Sequence, residues 1–244
     1  YFPEITHAIN FLFSALSIFG FYLIVKIFFN KSIAILASLL TLLNPFFFGH
    51  MGMNTKDIII FFALIWFCVF FYKYIKDEKN IYLNLFLASL FLGFGSGVRL
   101  TFIVIAFPVI LCGLIYLFKK YKGKYLILTR RLIFHSIFTL LIVILLVVIC
   151  WPHMIAHIER GNFVEFISII IEKTVSWNQG PKIGLINGSF YEVFNTPRTY
   201  FVDILKFRIP FYWTALIFFT FSLIITKTLF IKNHINNFNN KFLI

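Results

Sequence analysis

The sequence contains few charged residues, and acidic residues are especially scarce. Charged side chains make up 13% of the 244 residues, and Asp and Glu together number 9, whereas a soluble domain averages about 25% charged residues. So little charge excludes a water-soluble domain, because such a domain could not cover its own surface. Hydrophobic residues make up 61% of the chain, 36 residues are Phe, and the mean hydropathy is +0.93. The chain therefore requires a lipid bilayer as its solvent.

Cysteines and nucleotide-binding glycine patterns are also scarce. Cys68, Cys112 and Cys150 all lie inside apolar runs, which argues against a disulfide framework or a metal cluster. Neither GxGxxG nor GxxxxGK[ST] occurs, so a cytosolic nucleotide site is unsupported.

A net charge of +13 could suggest nucleic acid as a partner. Lys and Arg placed between membrane spans instead set topology, and we predict no nucleic-acid partner.

Long apolar runs dominate the remainder of the sequence. A membrane helix needs about 20 mostly apolar residues, and seven runs reach or approach that length. We therefore predict an all-α, polytopic membrane protein with about seven transmembrane helices. The predicted spans are Ile5–Val25, Ser32–Gly49, Ile58–Tyr72, Asn80–Val98, Leu100–Phe118, Leu132–Trp151 and Ile209–Thr226.

The basic residues indicate how the spans are oriented. Of the Lys and Arg residues, 14 fall on one side, and the other side holds 8, six of them in one long loop, where charges count little. The first side is therefore predicted to be cytoplasmic, and the chain starts outside. Residues 1–151 form the membrane core, 152–208 an outer loop, and 209–244 the last helix with a cytoplasmic tail. Within the loop, the apolar period of Phe163–Val175 predicts a helix along the membrane surface, and 178–198 is predicted to be irregular.

Polar residues gather at the predicted outer ends of the spans. The stretch NPFFFGHMGMNTKD, residues 44–57, contains His50, Asn54, Lys56 and Asp57, and Pro45 is expected to bend or end the second run. Arg99 follows GFGSGV, which predicts a tight glycine-rich turn. Charges at a membrane boundary are costly unless they are paired or lie in a wet cavity. Because Arg and Lys are natural partners of phosphate, this pattern indicates a site for a lipid-linked phosphate.

Each of these features also has a simpler structural interpretation. Lys56 and Asp57 could merely begin a helix, since Asp favours the positive N-terminal end. Arg99 could extend to the headgroups as an anchor. The pair His153 and His157 has metal-ligand spacing, but no third ligand stands at an obvious spacing, so we predict no metal.

Four segments of the chain together resemble a known enzyme group. THAINFLFSALSIFGFYLIVKIF, NPFFFGHMGMNTKDIIIFFAL, GFGSGVRLTF and NTPRTYFVDILKFRIP look like segments of the protein-mannosyltransferase-like group of GT-C class, polyprenyl-phosphate-sugar-dependent glycosyltransferases. Thr55 stands where that group has Pro. The likeness extends over most of residues 5–215.

This resemblance implies a GT-C-like fold and a specific reaction. A hexosyl or pentosyl group would move from a polyprenyl-phosphate donor to a lipid, glycan or protein acceptor, without a cofactor, at the outer face of a bacterial inner membrane. The group's presumed catalytic acid lies in an outer loop expected upstream of Tyr1, and Glu4 is too near the first span for that role. The donor-binding set implied by the resemblance is His50, Asn54, Lys56, Asp57, Arg99 and Arg198.

A polytopic transporter or channel subunit is the alternative function, and an inactive structural subunit is a third. A transporter is expected to carry ionisable residues near the middle of the membrane. Here the spans are nearly free of charge and the polar groups gather at one side. This distribution favours an enzyme that works at the interface.

The predicted topology can be tested by cysteine labelling in a variant without the native cysteines. With seven spans, an outside N-terminus and a cytoplasmic C-terminus, Asn187→Cys should react with an impermeant reagent added outside and Lys122→Cys should not. The reverse pattern would contradict the topology.

Overall fold

The structure is a computed structural model that describes residues 3–53, 55–77, 79–123, 125–151, 168, 183–186, 189–192, 214–223 and 226. The chain divides into two compact units, Tyr1–Gly180 and Pro181–Ile244. The first unit contains seven described helices, which are α1 (Pro3–Phe28), α2 (Lys31–Leu42), α3 (Pro45–Met53), α4 (Thr55–Lys76), α5 (Ile81–Val98), α6 (Phe102–Lys120) and α7 (Tyr125–Cys150). The second contains strands β1 (Ile183–Ile186) and β2 (Ser189–Glu192) and helix α8 (Thr214–Leu223).

The prediction of an all-α, polytopic membrane protein is confirmed, but the predicted number of spans is not. Five helices, α1, α4, α5, α6 and α7, are long and apolar enough to cross a membrane, and α2 with α3 raises the number to six if the pair counts as one span. The predicted seventh span, Ile209–Thr226, is described only in part, and α8 is shorter than a span. The described residues therefore provide five or six crossings.

The second predicted span, Ser32–Gly49, is wrong as a single straight helix. It is broken into α2 and α3, whose axes differ by 65°. Pro disfavours helical backbone in the residue before it and suits the first position of a helix, where Pro45 lies. The Asn44 side chain caps α3 by accepting a hydrogen bond from the Phe46 amide at 2.9 Å. The expected bend at Pro45 is confirmed, and it divides the run into two helices.

Ring contacts show how the long helices run relative to one another. Phe13 of α1 packs on Phe62 of α4, and Phe28 packs on Tyr72 farther along both helices, so α1 and α4 run in the same direction. α5 runs back against α4, with the Phe70 and Phe91 rings stacked 5.7 Å apart. This alternation gathers the start of α1, all of α3, the start of α4, the α5–α6 connection and the end of α7 at one end of the bundle.

Glycines in GFGSGV serve helix packing, and their assignment to a turn was wrong. All of them lie inside α5, which ends only at Val98. A Cβ atom on Gly93 would lie 3.1 Å from the Val143 Cα atom, and one on Gly97 would lie 2.6 Å from Cys150 Sγ, both on α7. Gly93 and Gly97 form a GxxxG pattern, which lets two membrane helices approach closely. The connection to α6 is correspondingly short, from Arg99 to Thr101.

The second unit also differs from expectation. Residues 178–198 were predicted to be irregular, yet β1 and β2 pair there as an antiparallel hairpin, with Ile186 opposite Ser189. The two residues between the strands are Asn187 and Gly188, and Asn-Gly between short apolar runs is the strongest local hairpin signal. The predicted surface helix Phe163–Val175 lies outside the described residues apart from Ser168, as do His153 and His157.

The close approach of α5 to α7 predicts that Gly97→Ala destabilises the protein. The added methyl group would overlap Cys150, and overpacking of this kind costs about 1–3 kcal/mol of unfolding free energy. Thermal unfolding in detergent, followed by tryptophan fluorescence, would measure the loss, and Cys150→Gly should restore part of it.

Gly49→Ala is the matched control, because a Cβ atom there meets no atom within 4 Å. Alanine in a helix is favoured over glycine by about 0.5–1 kcal/mol, so this variant should be neutral or slightly stabilised. Equal losses in both variants would contradict the packing role of Gly97.

Candidate functional site

The predicted site residues that the structure describes lie at one end of the helix bundle. His50 is in α3, Lys56 and Asp57 are in the first turn of α4, and Arg99 follows α5 directly. Asn54 and Arg198 lie outside the described residues. The candidate site is therefore built from three separate chain segments that meet at this end.

Asp57 and Arg99 form an ion pair although 42 positions separate them in the sequence. Arg99 Nη1 lies 3.8 Å from Asp57 Oδ1, and the two side chains are 55% and 57% exposed. An exposed pair of this kind contributes about 0–1 kcal/mol to stability. The pair is therefore too weak to hold the helices together, and both groups remain accessible to a ligand.

The backbone around Arg99 explains its position. The Arg99 amide still donates to the Gly95 carbonyl oxygen at 3.0 Å, while its own carbonyl accepts from the Phe102 amide at 2.9 Å. Arg99 has extended backbone angles, φ −153° and ψ 119°, which direct the chain out of one helix and into the next. Trp151 Nε1 donates to the Gly97 carbonyl oxygen at 2.6 Å, so the end of α7 is fastened beside this turn.

Helix electrostatics account for two of the three charges at the site. The N-terminal end of a helix favours an anion and the C-terminal end a cation, which suits Asp57 at the start of α4 and Arg99 at the end of α5. Lys56 is in the first turn of α4, where the helix dipole opposes a cation. The structural interpretation of this stretch as a simple helix start therefore explains Asp57 and leaves Lys56 unexplained.

His50 lies on α3, which makes an aromatic contact within itself and another with α4. The His50 ring packs edge-on against Phe46 with 4.3 Å between ring centres. Phe47 makes a similar contact with Phe61 of α4 at 5.5 Å. These contacts place His50 at the same end of the bundle as Lys56 and Asp57, on a separate helix.

A cavity of about 310 Å³ lies among α4, α5, α6 and α7 within the membrane-spanning part. Its walls are mainly apolar, and four of its five polar side chains form two hydrogen-bonded pairs. The Tyr74 hydroxyl bonds His135 Nδ1 at 2.8 Å, and the Ser89 and Thr139 hydroxyls lie 2.8 Å apart. Ile103 of α6 and Leu140 of α7 also line it, and both are exposed outside the protein. The cavity is therefore an apolar groove that lipid can reach between α6 and α7.

Metal binding has no candidate in the part of the chain that the structure describes. Within it, no three His, Cys, Asp or Glu side chains lie close enough to hold an ion. The chemistry that these residues offer is the binding of an anion by Lys and Arg, beside one carboxylate.

Three residues at the same end were not identified from the sequence. His7 and Asn10 of α1 both approach the Gly52 carbonyl oxygen of α3, and Trp151 bonds Gly97. Polar residues within an apolar span are a recognised functional signal, and it was present at His7 and Asn10. Tryptophan at the end of a span is common at membrane interfaces, so Trp151 did not stand out.

One protein family matches the chain. The model of the family described as dolichyl-phosphate-mannose-protein mannosyltransferase matches residues 6–155, which is more than half of the chain. The match includes His50, Lys56, Asp57 and Arg99 but ends before Arg198. No curated protein and no solved structure matches the chain. The chain therefore belongs to the dolichyl-phosphate-mannose-protein mannosyltransferase family, which consists of membrane glycosyltransferases of the GT-C type.

Proposed function

We propose that this membrane glycosyltransferase moves a sugar from a polyprenyl-phosphate donor to an acceptor at the outer face of the membrane. The observation that carries the proposal is the accessible Asp57–Arg99 pair, which lies with Lys56 at one end of the spans in a chain of this family. The sugar is a hexose or a pentose, and the acceptor is a lipid, a glycan or a protein. The membrane is the inner membrane of a bacterium.

Charge changes during the reaction explain why cations are needed. The bond from the sugar C1 atom to the phosphate oxygen breaks, and its electron pair leaves with the polyprenyl phosphate. The acceptor oxygen forms the new bond to C1 and loses its proton to a base. The phosphodiester carries one negative charge and the leaving phosphate acquires a second. Cations beside the phosphate therefore stabilise the transition state more than the bound donor, which is the condition for catalysis.

Within this proposal the charged residues have different tasks. Arg99 binds the phosphate through two parallel hydrogen bonds, and Lys56 adds a second positive charge. Asp57 orients the guanidinium and reduces the net charge of the three residues to +1, which matches the single negative charge of the donor. His50 and Asn54 contact the sugar, and Arg198 joins the donor site. No cofactor takes part.

The groove between α6 and α7 suits the apolar chain of the donor. It is lined mainly by Leu, Ile, Phe and Val side chains, and its exposed edges at Ile103 and Leu140 face lipid. A lipid-linked donor must place its phosphate at the interface and its chain in the hydrocarbon layer. Arg99 begins the connection from α5 to α6, two helices that also line the groove.

The distribution of basic residues supports an outward-facing site. Lys26, Lys73, Lys76, Lys119 and Lys120 lie in the last turns of α1, α4 and α6, at the opposite end of the bundle from Asp57 and Arg99. Because basic residues accumulate on the cytoplasmic side, the end with the candidate site belongs outside.

Arg99→Ala should lower kcat/KM for polyprenyl-phosphate mannose about ten- to hundredfold, since a hydrogen bond to a charged group is worth about 1.5–3 kcal/mol. Its unfolding temperature should change little, because the exposed pair adds little stability. Arg99→Lys should recover only part of the activity, because an ammonium lacks the planar fork of arginine. Radiolabelled sugar transfer by the full-length protein in vesicles would measure both.

Lys122→Ala is the control for this test, since it removes one exposed positive charge from the opposite end of the bundle and should leave transfer unchanged. Full activity in Arg99→Ala, or complete rescue by Lys, would contradict the phosphate-binding role.

Asp57→Asn should increase inhibition by the product polyprenyl phosphate, because the net charge of the site rises. Unchanged product inhibition would refute the charge-matching role of Asp57.

Filling the groove gives an independent prediction. Leu140→Trp adds bulk at the exposed edge of the groove. It should raise KM for a long-chain donor about tenfold, because the donor chain would lose apolar contacts with the groove. A donor with a short prenyl chain should be affected much less. Leu145→Trp, at another exposed position on α7 outside the groove, is the control. Equal effects on long and short donors would contradict a chain-binding groove.

A further inference from the structure

The α1 helix carries a line of polar residues on one face although it spans an apolar layer. Asn10 is 1% exposed, and Ser14 and Ser17 are fully buried. The two serine hydroxyls donate to carbonyl oxygens of their own helix, at 2.9 Å and 2.6 Å, so their hydrogen bonds are satisfied locally. Asn10 and the preceding polar residue on this face, His7, instead extend to another helix.

Both of these side chains meet the same acceptor, the carbonyl oxygen of Gly52. His7 bonds it through Nδ1, and Asn10 Nδ2 lies 3.5 Å away. A carbonyl oxygen only accepts, so His7 Nδ1 carries the hydrogen. Gly52 lies in the last turn of α3, where the carbonyls lack partners within the helix. Two donors from α1 therefore cap the C-terminal end of α3.

Asn10 has a strong physical reason to make this contact. A buried amide without a hydrogen bond is costly in an apolar environment, and no water is available in the hydrocarbon layer. Its side chain is therefore held toward the acceptor that α3 provides. His7, one turn earlier on the same helix face, approaches that acceptor from the outer end.

This contact lies close to the candidate site. Only three residues separate Gly52 from Lys56, so the cap fixes the point from which α4 begins. On its other side α3 follows the 65° bend at Asn44 and Pro45, and its neighbouring contacts are the ring pair Phe47–Phe61 and the buried Met51 side chain. A loss of the cap would let the end of α3 shift, and the first turn of α4 would shift with it.

We propose that His7 and Asn10 are positioning residues, which hold the end of α3 and thereby place Lys56 and Asp57 opposite Arg99. Neither residue needs to touch the donor. The expected change in KM rests on the proposed function. The cap itself can be tested by a structural measurement that needs no enzymatic activity.

The test compares His7→Ala, His7→Asn and Asn10→Leu in the full-length protein. Asparagine at position 7 places an amide N–H where the imidazole Nδ1–H was, so it should rescue. Leucine at position 10 retains the volume and leaves no unpaired polar atom, so this variant should fold even if His7→Ala does not. Ile9→Ala is the control, because Ile9 lies between the two residues in sequence and is exposed to lipid.

Two measurements separate the cap from the chemistry. Hydrogen–deuterium exchange of the peptide covering residues 45–57 should become faster in His7→Ala and Asn10→Leu, and should stay as in the wild type in His7→Asn and Ile9→Ala. With polyprenyl-phosphate mannose, KM should rise about three- to tenfold in the same two variants while kcat changes less than about twofold, as expected for one lost hydrogen bond.

Each outcome is decisive. If the 45–57 peptide exchanges at the wild-type rate in both His7→Ala and Asn10→Leu, the proposed cap is wrong. If exchange is faster but KM is unchanged, the proposed positioning role is wrong. If the wild-type protein transfers no sugar, the proposed function fails, and the exchange data alone then support the cap or overturn it.

Discussion

Backbone polar groups cannot remain unpaired in a hydrocarbon layer, and that constraint determines where this chain is able to bend. At the break between α2 and α3 the Phe46 amide donates to the Asn44 side chain, and the Gly52 carbonyl oxygen accepts from His7 and Asn10. At the end of α5 the carbonyl of Gly97 finds the Trp151 indole. Each partner is a polar side chain at the same end of the bundle. The hydrogen bonds that satisfy these helix ends therefore lie beside the charged residues of the candidate site, and Asn30 and Asp77 make equivalent bonds at the opposite end.

Close packing of α5 then determines the position of Arg99. Gly93 and Gly97 allow α7 to approach one side of α5, and Gly95 allows the Phe102 ring to approach another. A wider spacing would shift the end of α5, which carries Arg99. Because the Asp57–Arg99 pair is exposed and weak, it follows the helices and does not direct them. The geometry of the site is thus a consequence of the apolar packing around α5.

Features that depend on a single stretch of chain could be predicted from the sequence. The predicted runs Ile58–Tyr72 and Leu100–Phe118 correspond to α4 and α6, which continue to Lys76 and Lys120, and the bend at Pro45 followed from the chemistry of proline. GFGSGV was misread because glycine suits both turns and close helix contacts, and only the position of α7 decides between them. The Asn187–Gly188 pair is a local signal that predicts the hairpin. The cap on Gly52 could not be predicted, because it requires α3 to fold back onto α1.

The candidate site combines these local and long-range features. Lys56 and Asp57 are adjacent in sequence, so their placement at the start of α4 was predictable, and their position relative to Arg99 depends on the packing of α4 against α5. Two attractive charges at 3.8 Å interact by only about 1 kcal/mol in water, so the pair does not close the site to a competing anion. In the proposed donor site a phosphate can use several donors of the Arg99 guanidinium, since arginine has five N–H donors and its Nη1 atom lies 3.8 Å from Asp57 Oδ1. An accessible, weakly paired arginine at the end of α5 is therefore suited to bind and release the donor phosphate that we propose.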